Sequence, residues 1–219
     1  TVSSVNISAA TWTTSNTNAI SVTREGSQVD WAITNDLTLT NLTYTGADPG
    51  TVSADGGLLS IDDSINVALV NTDINSNADF DVTSLNIDAN STISANEKGC
   101  AGGLTDSDGY GPNTASSNQC TQGTAYGGAG DYSGYNGSGG GYGGAGGTAN
   151  NGNSAGGVAY GSETNPVHLG SGGGGGDSPG DNGGAGGGKV IISTSGAFTL
   201  NGALSANGGD ATKVTYAGG

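Results

Sequence analysis

The chain has 219 residues, 32% of them hydrophobic, with no methionine, two phenylalanines and two tryptophans, which is too little bulk for a thick globular core but enough for a thin one repeated along an axis. Four basic residues (Arg24, Lys98, Lys189 and Lys213) stand against 19 acidic ones, a formal net charge of −15. That balance excludes nucleic-acid binding, which requires phosphate neutralisation, and disfavours adhesion to anionic lipid, while suiting solubility or the recruitment of divalent cations.

Residues 1–98 carry short β-branched and aliphatic runs separated by polar residues. Val2, Val5 and Ile7 come first, followed by Ile20 and Val22, then Val29, Trp31 and Ile33. Leu37, Leu39 and Leu42 follow, then Leu58, Leu59 and Ile61, then Ile65, Val67 and Leu69, and finally Val82, Leu85, Ile87 and Ile93. Alternation is plain in Val29-Asp30-Trp31-Ala32-Ile33 and in Ile65-Asn66-Val67-Ala68-Leu69, the period-two signature of strands. Asn35-Asp36, Asp48-Pro49-Gly50, Asp55-Gly56-Gly57 and Asp62-Asp63 punctuate the runs as turns, and no stretch has the helical period. The expected fold is all-β, with parallel β-solenoid-like strands; the alternative is a β-sandwich N-terminal part beside a glycine-rich domain. No apolar run approaches the length of a membrane span or the form of a signal peptide, and a start at Thr1 in place of Met is read as the trace of a removed leader.

Residues 99–188 contain 34 of the chain's 45 glycines and six of its eight tyrosines (Tyr110, Tyr126, Tyr132, Tyr135, Tyr142 and Tyr160). Glycine loses more conformational freedom on folding than any other residue, so an ordered tract of this kind needs close backbone packing to compensate. Extended polyproline-II-like strands can pack so when no side chain holds them apart; the strict three-residue glycine period of collagen is missing. The tract is therefore expected to be an ordered insertion, polyproline-II or polyglycine-like. Cys100 and Cys120 stand at its mouth; a disulfide there would close a loop of about 20 residues and contribute on the order of 3 kcal/mol, the alternative being two free thiols. An even cysteine count with few lysines points to an oxidising, extracytoplasmic compartment.

One internal echo brackets the tract. Leu85-Asn86-Ile87-Asp88, a turn, and Ile93-Ser94-Ala95-Asn96 precede it; Phe198-Thr199-Leu200-Asn201, a turn two residues shorter, and Leu204-Ser205-Ala206-Asn207 follow it. A repeated motif on both sides suggests a coil interrupted by an insertion, hence a division into 1–98, 99–188 and 189–219, the last segment completing the solenoid. The order Ile93-Ser94-Ala95-Asn96, glycine tract, Gly186-Gly187-Gly188-Lys189-Val190-Ile191-Ile192, then Leu204-Ser205-Ala206-Asn207-Gly208-Gly209 resembles glycine-rich, β-helical, adhesin-like extracellular surface proteins of prokaryotes over residues 85–209. Within the tract, Tyr142-Gly143-Gly144-Ala145-Gly146-Gly147, Tyr160-Gly161-Ser162 and Pro166-Val167-His168-Leu169-Gly170-Ser171-Gly172-Gly173-Gly174 are similar to the same pattern. The resemblance implies a secreted or surface structural role.

Chemistry has few candidates. His168 is the lone histidine, so neither a Ser-His-Asp nor a Cys-His arrangement assembles, and no catalytic residue is assigned. The paired carboxylates Asp62-Asp63, Asp79-x-Asp81 and Asp106-x-Asp108 would serve glycoside hydrolysis only in a cleft with aromatic platforms, for which Trp12, Trp31 and the tyrosines are the available residues. Asp106-Ser107-Asp108-Gly109 begins like a calcium loop but lacks the later ligands, and Gly172 to Asp177 starts like a calcium-binding nonapeptide that occurs once where arrays are required. No cofactor is expected, with calcium as the open exception. The sequons at Asn6, Asn41, Asn90 and Asn136 admit glycosylation, although roughly five would arise by chance in this composition. The tyrosines are expected to shield packed glycine strands, each hydroxyl finding a partner.

These features point to a non-enzymatic extracellular structural protein that self-assembles into a filament or cell-surface fibre, partnered by further copies of itself through uncapped ends. Thr1-Val2-Ser3-Ser4-Val5 and Val214-Thr215-Tyr216 are the strand-like termini that suggest those ends. A carbohydrate-binding or carbohydrate-active surface module is the second expectation. An ice-binding protein, suggested by Thr38-x-Thr40 and Thr43-x-Thr45, is the third.

Overall fold

A computed structural model describes residues 20–24, 29–30, 37–40, 42–46, 59–115, 119–130, 136–149, 154–162 and 164–212. They belong to two compact units. One holds the described residues between 20 and 46, 59–94 and 190–205; the other holds those between 95 and 189 and 206–212. Among the described residues there is no helix, so none is long and apolar enough to cross a membrane.

The first unit is all-β. It begins with β1 (Ile20–Arg24), β2 (Val29–Asp30), β3 (Leu37–Thr40) and β4 (Leu42–Gly46). The long β5 (Leu59–Val70), β6 (Asp73–Asn75), the long β7 (Ala78–Ile87) and β8 (Thr92–Ser94) follow. The second unit contributes β9 (Tyr110–Pro112) and β10 (Cys120–Gln122), an antiparallel pair. The chain then returns to the first unit as β11 (Val190–Thr194), β12 (Phe198–Leu200) and β13 (Ala203–Ser205). The run containing Leu37, Leu39 and Leu42 divides into β3 and β4, which join different sheets.

Every strand pairing in the first unit is parallel, which separates it from an antiparallel sandwich. One sheet runs β1-β4-β6-β8-β13; the other runs β11-β7-β5-β2, with β12 also on β7 and β3 also on β5. In-register parallel pairing stacks equivalent side chains in columns, because successive side chains alternate faces. Tyr44, Ile74, Ile93 and Leu204 make one column through the first sheet. In the second, Val67, Leu85 and Phe198 make another, and Leu39, Leu69, Ile87 and Leu200 a third. A register shift between Asp63 and Asn66 reconciles the two halves of β5 with the shorter β7. The internal echo is thereby a direct contact: Phe198 pairs with Leu85, Leu200 with Ile87, Leu204 with Ile93 and Ser205 with Ser94.

The columns form an apolar core in which Tyr44, Ile61, Leu69, Ile74, Phe80, Ile87 and Ile93 are fully buried. Short side chains hold the corners. Asp88 accepts hydrogen bonds from the Ser91 hydroxyl (2.6 Å) and from the backbone N–H of Asn71 (3.2 Å) and Asn90 (3.1 Å). The Ser91 bond above all, against the opposing desolvation and with help from the two backbone donors, holds its carboxyl below the usual range. Asn71 itself sits at φ 47°, a left-handed turn position that asparagine tolerates.

The second unit is built on backbone. Ser171 and Gly172 to Gly176 are all buried, and their N–H groups go to three different neighbouring segments in rotation. Gly170, Gly173 and Gly176 donate to Gly187, Gly184 and Asp181 (2.9, 3.0 and 2.9 Å). Ser171 and Gly174 donate to Gly141 and Ser138 (3.4 and 2.8 Å), and Gly172 and Gly175 to Tyr110 and Ser107 (2.9 Å each). The period is three residues. A Cβ on Gly172 would overlap the carbonyl of Ala101, and one on Gly174 the carbonyl of Ala129. Glycine is required there by proximity, since both meet backbone that has no rotamer with which to retreat.

Candidate functional site

The sequence candidates fall at separate places. Cys100 and Cys120 are joined as a disulfide (Cα–Cα 5.5 Å), buried against Leu169 with Tyr110 packed alongside. His168 is half-buried and engaged with a partner, just before Leu169. Asp79 and Asp81 alternate with the buried Ala78, Phe80 and Val82 on β7, so they stand on the face away from the core. Asp81 pairs in register with Asp62 of β5. Asp106 and Asp108 belong to the second unit. Trp12, Trp31, Tyr132, Tyr135, Asn6 and Asn41 lie outside the described residues, as do the termini 1–12 and 213–219.

The Asp106–Asp108 turn is occupied by structural work. Asp108 accepts from the backbone N–H of Gly130 at 2.7 Å, and its carbonyl accepts from the Gln122 amide at 3.1 Å. Asp106 lies at φ 58° with one carboxylate oxygen enclosed and without a hydrogen bond. Among the described residues no three His, Cys, Asp or Glu side chains converge as metal ligands. The glycines at 172–176 are the buried centre of their unit, with carbonyls of Gly172 and Gly173 already accepting from Gly128 and Gly103 (3.0 and 2.8 Å). Of the two described sequons, Asn90 is exposed in its turn, whereas the amide oxygen of Asn136 is enclosed without a partner.

Three tyrosines converge. Tyr160 meets Tyr126 and Tyr142 edge-on, each at a centroid separation of 5.1 Å, an arrangement favoured by the ring quadrupoles. The Tyr160 hydroxyl donates to the Leu169 carbonyl and accepts from the Ser171 hydroxyl at 3.0 Å, tying the ring to the first residues of the glycine core. The Tyr142 hydroxyl is enclosed without a hydrogen bond of good geometry; burial raises its pKa, and the His168 backbone only partly offsets this. Shielding of glycine backbone by rings is thus visible, but satisfaction of every hydroxyl is not. A cavity of about 200 Å³ lies against this region, lined by glycines together with Tyr142, Ser171 and Ala185. Its one titratable wall residue is Tyr142, so it assembles no acid–base pair.

Burial, above all, pushes the Tyr160 hydroxyl from 10.0 up to about 12; the Ser171 hydroxyl opposes the shift and Tyr142 adds to it. The folded state therefore keeps a proton that the unfolded chain releases. The associated stability is complete below pH 10 and is lost as the pH rises from 10 towards about 12. Denaturation midpoints measured across that window should fall more steeply for the native chain than for Tyr160→Phe. Parallel profiles would show that Tyr160 does not carry the effect.

The remaining candidate is a surface. The last strands of both parallel sheets, β11, β12 and β13, continue the core columns but leave them incompletely covered. Val190, Ile192 and Leu204 are half-buried, while Phe198 and Leu200 are 43% and 42% exposed. Each pairs with a fully or nearly fully buried residue: Ala78, Phe80, Ile93, Leu85 and Ile87 respectively. Sequence reasoning placed open ends at the termini and missed this row. Its signal was present in the apolar spacing of Val190, Ile192, Phe198 and Leu200. Comparison with protein-family models, with curated proteins and with solved structures gives no match for this chain.

Proposed function

We propose that this chain is a non-enzymatic extracellular structural protein whose copies self-assemble into a filament or cell-surface fibre. The observation that carries this reading is the uncovered apolar row on β11, β12 and β13, where the core columns reach the edge of both sheets. An edge strand offers unpaired N–H and C=O groups, and apolar side chains beside it add the gain from burial. On this reading the parallel sheets are faces of a solenoid-like coil, interrupted between β8 and β11 by the glycine unit, and solenoids without polar caps associate end to end. The three-residue rotation of hydrogen bonds through 170–176 is the pattern that polyproline-II-like polyglycine segments produce when bundled. A unit held by backbone contacts and a buried disulfide suits an oxidising compartment outside the cytoplasm.

Purified protein should appear as filaments in electron micrographs, with a sedimentation coefficient that rises with concentration. Compact monomers at every concentration would overturn the reading.

A further inference from the structure

The open row on β11 and β12 is symmetric under reversal. Val190, Ile192, Phe198 and Leu200 lie five and three residues to either side of Ser195, so the same spacing returns when the segment is read backwards. The residues at the centre, Thr194, Ser195, Gly196 and Ala197, are small. Residues 195–197 stand against only Thr83 and Ser84 of β7, so the strand bulges at that centre. Backbone direction follows the same symmetry. Ser195 and Asn201 donate to the carbonyls of Val82 and Ile87 (3.3 and 2.9 Å), and the Ala197 carbonyl accepts from Leu85 (3.0 Å). Because strand residues alternate in direction, Ile191, Ser193 and Thr199 also turn their N–H and C=O groups towards β7. Val190, Ile192, Phe198 and Leu200 turn theirs to the open side.

We propose that the edge formed by β11 and β12 is occupied by the same edge of a second copy, paired antiparallel about a twofold axis at Ser195. Val190 of one copy then faces Leu200 of the other, and Ile192 faces Phe198. All four continue columns of the buried residues Ala78, Phe80, Leu85 and Ile87, so their side chains share the core face. All four also present backbone groups to the open side, so each facing pair exchanges hydrogen bonds while its side chains meet. This rests on the self-assembly reading and specifies one mating surface.

Three observations favour this occupant. First, the register is specified. A slip of one residue sets backbone groups turned to the open side against groups turned to β7, and a slip of two keeps only half of the apolar pairs. Secondly, residues 190–209 carry no charged residue and no proline in a chain of net charge −15. Two like copies therefore meet here without facing charges, on an edge that lacks the usual protections. Thirdly, the bulge falls on the axis, where only small residues meet, and leaves β11 of each copy free to lie along β12 of the other. The same patch serves both copies, so the contact is isologous and closes on itself. A filament that contains it has the dimer as its repeating unit and needs a second joint elsewhere on the chain.

The test is cross-linking between separately prepared variants, Ile191→Cys and Thr199→Cys, with the native disulfide intact. Ile191 pairs with Asp79 and Thr199 with Asn86, so both alternate with the core-facing row, and Thr199 is exposed. The twofold places Ile191 of one copy opposite Thr199 of the other, as a non-hydrogen-bonded pair with a Cα separation of about 4.5 Å that a disulfide spans. Each position lies eight residues along the strand from its own counterpart, roughly 26 Å, which no disulfide spans. Under mild oxidation the mixture should therefore yield a cross-linked heterodimer at least about tenfold above the homodimer of either variant alone, as effective concentration dictates. A Phe198→Asp/Leu200→Asp background should abolish the heterodimer while keeping the unfolding midpoint, since both side chains are exposed. Should that midpoint fall, the cross-linking pattern decides alone, because it leaves the four apolar residues unchanged. Filaments that form without the heterodimer, or with homodimers as abundant, would overturn this pairing and leave self-assembly standing. A heterodimer undiminished by the double aspartate in a folded chain would do the same. Monomers alone in sedimentation would overturn both.

Discussion

Gly172→Ala and Gly174→Ala should each lower folding stability by about 3 kcal/mol, the upper range of overpacking costs, although each adds one methyl group. At Gly172 the methyl would overlap the Ala101 carbonyl and lie 2.7 Å from the Gly102 nitrogen. At Gly174 it would overlap the Ala129 carbonyl and lie 2.7 Å from the Gly130 nitrogen. Side chains relieve crowding by changing rotamer, but these neighbours are backbone, so relief means displacing a whole segment. Displacement would loosen bonds that converge there: Gly172 N–H to Tyr110, Gly128 N–H to Gly172, and Gly174 N–H to Ser138. A buried amide left unpaired loses about 1–3 kcal/mol. Gly147→Ala is the control, because nothing lies within 4 Å of its Cβ position. That change should stay within about 0.5 kcal/mol. Chemical denaturation followed by circular dichroism would decide it; equal effects at the three positions would refute close backbone packing as the reason for glycine.

Removing the disulfide should be comparably severe. Cys100 and Cys120 are 1% and 2% exposed, and their bridge closes a 20-residue separation that contains β9 and ends at the first residue of β10. Opening a loop of that size returns about 3 kcal/mol of chain entropy to the unfolded state in the loop-closure description. Cys100→Ala/Cys120→Ala also removes sulfur packing against Leu169 and Tyr110, so the double variant should lose about 3–4 kcal/mol. The backbone adds to the effect, because Cys100 donates to Gly170 and accepts from Gly186 (2.9 and 2.8 Å), within the same glycine lattice. Denaturant titrations with and without reductant would show it. A midpoint indifferent to reductant, with reduction verified by thiol labelling, would contradict a stabilising role.

Much of the first unit was legible. The alternation in Ile65-Asn66-Val67-Ala68-Leu69 is a local property, and the buried face of β5 carries Ile65, Val67 and Leu69 as alternation requires. The echo between 85–96 and 198–207 was legible as well, because parallel neighbours in register bring like residues together. Burial on the returning strands was not. Val190-Ile191-Ile192 reads as a core strand, yet these residues are only half-buried, since exposure depends on whether another strand follows in space.

Less of the candidate surface and of the glycine unit was open to reading. Tyr126, Tyr142 and Tyr160 are separated by 16 and 18 residues in a tract without periodic side chains, so no spacing announced their convergence. Asp108 looked like a calcium ligand by its neighbours, but a bond to Gly130, 22 residues away, gives it a structural task.

The sequence by itself determined a strand-forming, acidic chain with a thin core, a repeated motif on either side of a glycine tract, and two cysteines at that tract's mouth. These are consequences of side-chain type and local period. Only the tertiary structure decided which carbonyl each glycine meets, which columns are sealed and which row remains open on β11, β12 and β13. The physical reason is that glycine carries no side chain to encode a partner, and an edge differs from an interior strand by what lies beside it, not by what it contains.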